Sequence, residues 1–211
     1  MALTFDAEHP DRPSDGQAAR ELIDGLRQLD AAATFFVQGR WAEAYPDLAG
    51  RLSADGHLVG SHSFYHARMP LFDRRGFRTD VRAAERAIRL FAGTDPRPWF
   101  RMPFGSGADR ADLVGRLAEL GYRHVGWHVS GLDWHRRRTA VGVEEAVVAG
   151  ATARGDSTIV LLHTWPDATV AALPGIVSRL RAAGAELVRV DQLDAAPDLT
   201  PLGDQHPQSH P

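Results

Sequence analysis

The chain has 211 residues, 44% of them hydrophobic, enough for one domain with a sizeable core. A formal charge of -3 gives no electrostatic case for nucleic acid or an anionic membrane, and no apolar run approaches the ~20 residues that span a bilayer. With no cysteine, disulfides, thiolate metal sites and cysteine nucleophiles are excluded, so any metal must rest on histidine and carboxylate.

A strand pattern at 2–5 follows Met1 directly, with no charged and apolar leader. The expected compartment is therefore the cytoplasm, or outside the cell if a leader was removed. Helix is predicted over 14–29, opened by Ser14 and Gln17 at capping-box spacing. Strands are then predicted at 33–37, 57–61, 98–101, 123–129, 158–163 and 186–190, separated by amphipathic helices over 40–55, 78–92, 109–120, 140–154 and 168–183. Gly56, Gly121 and Gly184 each stand where a left-handed C-cap would end a helix before the next strand. The run Ile159-Val160-Leu161-Leu162 is continuously apolar, as a strand covered on both faces should be.

Strands alternating with helices predict a parallel α/β domain over residues 1–194, as a barrel or an open sheet. Residues 195–211, rich in Pro, Asp, Gln and His, read as a disordered tail. Neither an internal repeat nor a second domain is visible.

Residues with chemical potential recur just past the C-terminal ends of the predicted strands, the face on which parallel α/β folds build their sites. Asp6, Glu8 and His9 follow the first strand, and His62 and His66 the third. Arg101 ends the fourth, Asp133 and Trp134 follow the fifth, and His163 closes the sixth. His62 and His66 are four apart, so one helical turn would bring both imidazoles to one ion. Two imidazoles and one carboxylate suit Zn, with Co, Mn or Ni possible. Asp6 and Glu8 share a side if the strand stays extended, so one carboxylate can bind metal while the other acts as base. Arg101, ending a buried strand, needs a carboxylate, and Asp6 is the candidate; the pair could equally be a structural strut. His163 reads as a general acid or a satisfied core histidine, and Trp134 as a pocket wall or ordinary core. His57, His124 and His128 carry no usable spacing.

Taken together, Thr4-Phe5-Asp6, His62-Ser63-Phe64-Tyr65-His66, Arg101-Met102-Pro103-Phe104-Gly105, Asp133-Trp134 and Leu161-Leu162-His163 resemble, in order, the five motifs of the polysaccharide deacetylase (NodB-homology) family, carbohydrate esterase family 4. The segments 33–37 and 169–174 also look typical, so the resemblance runs over about residues 2–193. It implies a distorted (β/α)7 barrel and a metal-dependent hydrolase that removes N-acetyl groups from a sugar or polysaccharide. By the same resemblance Asp6 is the base, His62 and His66 are metal ligands, Arg101 holds Asp6, and Asp133 tunes the acid His163. Leu161 and Trp134 would shape the acyl pocket, with Pro103, Phe104 and Trp165 lining it.

Two positions depart from the family pattern. Ala7 stands where a second Asp usually serves as third ligand, which passes that role to Glu8 in a D-x-E variant similar to members acting on cyclic imides and ureides. Thr164-Trp165 follows His163 where an acidic residue is usual. The expected partners are an N-acetylated carbohydrate or a small amide, with no nucleic acid and no membrane span; oligomeric state is left open. The rival readings are a cyclic imide or ureide amidohydrolase on the same fold, and a silent sugar-binding domain.

Overall fold

Side chains along β1 (Ala2–Ala7) alternate between two environments, and that alternation organises the molecule. Leu3, Phe5 and Ala7 enter a large apolar layer between sheet and helices, whereas Ala2 joins a small apolar cluster with Phe36, Val125, Ile159 and Val190. In a computed structural model, which describes residues 1–9 and 16–193, seven parallel strands form one curled sheet. The remaining strands are β2 (Thr34–Val37), β3 (Leu58–Ser61), β4 (Trp99–Phe100), β5 (Arg123–His124), β6 (Val129–Ser130) and β7 (Ile159–His163). Their order, β5-β4-β3-β2-β1-β7-β6, is that of a (β/α)7 barrel open between β5 and β6.

Among the described residues seven helices cover the sheet: α1 (Gln17–Gln28), α2 (Gly39–Ala44), α3 (Pro46–Ala54), α4 (Arg74–Phe91), α5 (Ala111–Glu119), α6 (Ala140–Arg154) and α7 (Asp167–Ala182). The outer layer is filled from both sides, by Phe5, Phe35 and Leu162 of the strands and by Leu22, Leu52, Val147 and Ile176 of the helices. Each such side chain contributes roughly 1.5–3 kcal/mol when fully buried. A second cluster packs Phe77 and Val81 of α4 and Leu113 and Leu117 of α5 against Phe100.

Several expected boundaries shift for local reasons. The 40–55 helix breaks at Tyr45, whose φ of -130° and ψ of 61° are non-helical, because Pro46 disfavours the α conformation in the residue before it. Helix α4 starts a turn earlier than the 78–92 pattern because Asp73 caps it, accepting from Gly76 N at 2.6 Å. Gly56, Gly121 and Gly184 do end helices, at φ 82°, 84° and 84°. Ser14 lies outside the described residues, as does 195–211; α1 is preceded by Gly16, which makes no side-chain cap.

Two predicted strands are corrected. Residues 186–190 form none: Met1 N donates to Glu186 O and Val188 N to Met1 O, after which a 3₁₀ turn (Val190–Gln192) packs Val190 into the barrel interior. The 123–129 run is instead two short strands, and β5 pairs only with β4 while β6 pairs only with β7. One stretch of chain therefore serves both edges of the sheet and carries the backbone across the seam between them.

Candidate active site

Strand register brings the polar residues to one level. Asp6 pairs in register with His163 of β7 and Phe36 of β2, while His62 and Arg101 are the first residues beyond β3 and β4. The strand ends thus deliver one carboxylate, two imidazoles and a guanidinium to the C-terminal mouth of the barrel. Glu8 follows β1 on the same side as Asp6, whereas Ala7 faces the outer apolar layer.

Arg101 is fully buried and every recorded contact holds it in place. Its Nη1 donates to Asp6 Oδ1 at 2.8 Å and to Thr4 Oγ1 at 2.9 Å. Nε and Nη2 donate to the carbonyls of Val125 and Gly126, at 3.1 and 3.0 Å, and the guanidinium lies 4.1 Å over the Phe36 ring. Burial pulls its pKa down, the Asp6 charge pushes it up, and the net shift is downward. The other Asp6 oxygen, Oδ2, faces His62 Nε2 at 3.4 Å.

Glu8 is the hub of the cluster. Its Oε2 faces Nε2 of His66 and, at 3.4 Å, Nε2 of His62. Its Oε1 lies 2.5 Å from His9 Nε2 and 3.8 Å from His163 Nε2, and accepts from Trp165 Nε1 at 3.4 Å. Burial would raise the Glu8 carboxyl, but the surrounding imidazoles of His62, His66 and His9 outweigh it and hold it well below the carboxylate range. His62 gains more from the Asp6 and Glu8 charges than burial removes, and its pKa is raised. In His66 burial wins and the pKa falls.

The histidine pair is not on a helical turn, as its spacing had suggested. Residues 62–66 form an irregular loop in which Ser63 and His66 take left-handed φ of 63° and 56°, and the ring centroids lie 4.8 Å apart. Ser63 Oγ accepts from His66 N at 3.0 Å. Asp80, buried on α4, accepts from Phe64 N and Tyr65 N at 3.0 and 3.1 Å. Gly39 donates to Ser63 O at 2.9 Å, and a Cβ there would collide with the Phe64 ring, so α2 can approach the loop only as glycine.

On the opposite wall, His163 Nδ1 lies 2.8 Å from Asp133 Oδ1, and its backbone N donates to Asp133 Oδ2 at 2.7 Å. Thr169 Oγ1 of α7 donates to the same oxygen at 2.6 Å. Burial would depress His163, yet the Asp133 charge and hydrogen bond, with Glu8 and Asp6 nearby, raise it to about 9. An ionised Asp133 makes Nδ1 the donor and leaves Nε2 turned to the cluster.

Phe104, at φ 59°, stacks 4.5 Å from His66, and Pro103 before it is buried. Trp165 stands edge-on to His9 at 5.3 Å and tilted to His163 at 5.9 Å, so it walls the mouth. Leu161 shares the inward side of β7 with His163. Trp134 stands edge-on to the neighbouring His135, their ring centroids 5.9 Å apart.

Every residue singled out as catalytic or ligating in the sequence reaches this mouth. Two contributors, Asp80 and Thr169, were missed, and His9, noted past the first strand, carried no assigned role. Asp80 did leave a signal, as one of two acids, with Glu85, on the apolar stripe of Phe77, Val81, Ala84 and Ile88. His124 and His128 serve the backbone, their Nδ1 atoms accepting from Met102 N at 3.3 Å and Ile159 N at 3.0 Å; burial lowers His124 to about 3. Among the described residues no helix is long and apolar enough to cross a membrane.

A parallel barrel whose mouth gathers a buried Arg–Asp pair, a His–Asp pair and a carboxylate ringed by imidazoles defines a class of α/β hydrolytic centre. The polysaccharide deacetylase family model matches residues 1–125, and the chain belongs to that family. A peptidoglycan-N-acetylglucosamine deacetylase of Bacillus cereus is 32% identical over 189 residues, covering 87% of this chain and 66% of its own length. A chitooligosaccharide deacetylase of Rhizobium leguminosarum bv. trifolii is 30% identical, covering 90% of this chain and 89% of its own. Among solved structures, a T48 deacetylase with substrate superposes with a TM-score of 0.79 at 33% identity, over 95% of this chain and 92% of that one. The chain spans less than two thirds of the length of the first curated relatives it matches, from 66% down to 38%.

Proposed function

We propose that the protein is a metal-dependent hydrolase that removes N-acetyl groups from a sugar or polysaccharide. The observation that carries the reading is the convergence of Asp6–Arg101, Glu8–His62–His66 and His163–Asp133 on one mouth. Relatives described as acting on N-acetylglucosamine polymers and chitooligosaccharides support the substrate class.

The donor set fits a divalent cation. His62 Nδ1 lies 2.8 Å from the Arg101 carbonyl oxygen, a contact that needs an N–H, so Nε2 keeps its lone pair. That lone pair faces the buried carboxylate oxygen Glu8 Oε2, on which His66 Nε2 also converges. Two lone pairs aimed at one point ask for a cation. Glu8, His62 and His66 would hold it; Zn is the first choice, with Co, Mn or Ni as alternatives. When bound, such an ion polarises the acetamide carbonyl and makes water acidic enough to react near neutral pH.

The chain's own groups do the rest. Arg101 fixes Asp6 Oδ1, so Oδ2 is left to take the proton from the attacking water. His163, protonated through its Asp133 pairing, carries on Nε2 the proton that the departing amine requires. Phe104, Leu161 and Trp165 exclude water around the acyl group.

Acetate release from N-acetylglucosamine oligomers tests the reading. Activity should vanish on chelation and return with Zn or Co. Asp6→Asn should retain the ion and lose about 10²–10⁴ in rate; an unimpaired Asp6→Asn enzyme overturns the base assignment. A cyclic imide or ureide amidase stays in contention because the acid facing the histidines is Glu8 in Asp-x-Glu spacing, and small cyclic imides belong in the same assay. A silent sugar-binding domain is disfavoured, since Glu8 restores the carboxylate that Ala7 lacks.

A further inference from the structure

His9 is a nitrogen donor in the cluster for which the reaction above has no task. It leaves β1 directly after Glu8 with φ 62°, a left-handed conformation that a residue with a Cβ keeps only where its surroundings impose it. Among the described residues seven non-glycines have positive φ. Five of them (His9, Ser63, His66, Phe104 and Leu132) lie in the loops that build this mouth, so local backbone cost is concentrated where side chains are being aimed. At His9 the result is an imidazole folded back over the site. Its ring is edge-on to His66 at 5.4 Å and to Trp165 at 5.3 Å, with Nε2 2.5 Å from Glu8 Oε1. Ligand atoms of Glu8, His9 and His66 all lie within 4.8 Å of one another, a spacing compatible with one shared ion.

We propose that His9 is itself a metal ligand, so that the ion in this chain meets three imidazoles and the Glu8 carboxylate. The inference rests on the metal reading above and refines it. The first motif then contributes two consecutive donors from one strand end, Glu8 and His9, in compensation for the acid absent at Ala7. Four protein donors fill a tetrahedral shell, so an ion that also takes water must expand to five or six positions. Zn, Co and Ni can all meet that requirement, because none of them is confined to four ligands at a catalytic site. The competing role for His9 is a hydrogen bond that merely orients Glu8, and loss of such an outer contact costs ~10–100-fold in metal affinity.

The two roles separate on the full chain loaded with Co(II). X-ray absorption at the cobalt edge counts imidazoles directly, and the visible spectrum reports coordination number. Three imidazoles and the weak bands of a five- or six-coordinate ion are expected in the wild type. His9→Gln keeps an N–H for Glu8 and removes the ring; it should show two imidazoles and a Kd for Co(II) raised more than ~100-fold, beyond the outer-contact range. Two imidazoles in the wild type overturn the proposal without any variant. So does a His9→Gln protein with an unchanged spectrum and affinity, which leaves the metal reading intact. A wild type that retains no ion overturns both readings together.

Discussion

The two faces of β1 and β7 obey different rules. Outward, Leu3, Phe5, Val160 and Leu162 join one continuous apolar layer in which shape and volume matter and individual identity matters less. Inward, the same strands carry Thr4, Asp6, Leu161 and His163, and nearly every polar atom has a named partner. The outer face holds the fold through many interchangeable contacts. The inner face is a network in which removing one member strands the others. Stability and chemistry are thus assigned to alternate residues of one strand.

That division can be broken from either side, starting with the heaviest expected loss. Arg101→Leu should cost about 3–5 kcal/mol in urea unfolding, because it leaves Asp6 as an uncompensated buried charge, and should abolish activity too. Retained stability in that variant would mean the guanidinium is not holding the interior. Phe35→Ala, in the outer layer and stacked 5.2 Å from Phe5, should cost a comparable ~3–5 kcal/mol. Its folded fraction should deacetylate at the wild-type rate, and a selective fall in kcat would show that the two faces are coupled.

Asp133→Asn acts on titration. The acid role proposed for His163 requires the protonated ring, so activity should fall as pH rises through its pKa, raised to about 9 against burial chiefly by Asp133. Without that charge the pKa drops, and the alkaline limb of the kcat profile should move to lower pH; an unmoved limb assigns the limb to another group. Smallest of all, Arg74→Ala removes an exposed pair with Glu119 at 2.8 Å and should change stability by no more than ~1 kcal/mol and activity not at all.

How much of this was legible follows the same division. The outer face announces itself through periodicity, which is why the helices were placed to within about a turn. The residues proposed as catalytic or ligating were legible because they stand at strand ends or in the loops that follow them. What periodicity could not supply was backbone geometry inside the loops. The His62–His66 spacing suggested a helical turn, whereas Ser63 and His66 reach the same convergence through left-handed conformations anchored by Asp80. His9 stands beside Glu8 in the sequence, but nothing in the spacing says that the chain folds back there. The 123–129 run read as one strand because Val125, Trp127 and Val129 alternate at strand period; only the pairing shows it divided between two neighbours.

That divided run has a consequence for solubility. A parallel sheet that fails to close leaves two rows of unsatisfied amides and carbonyls, each a template on which another chain could add a strand. Here the two unpaired borders belong to consecutive pieces of one segment, and the guanidinium of Arg101 binds the carbonyls of Val125 and Gly126 between them. The opening is spanned by its own backbone and pinned from inside. The residue that holds Asp6 also helps deny the sheet an edge for intermolecular growth.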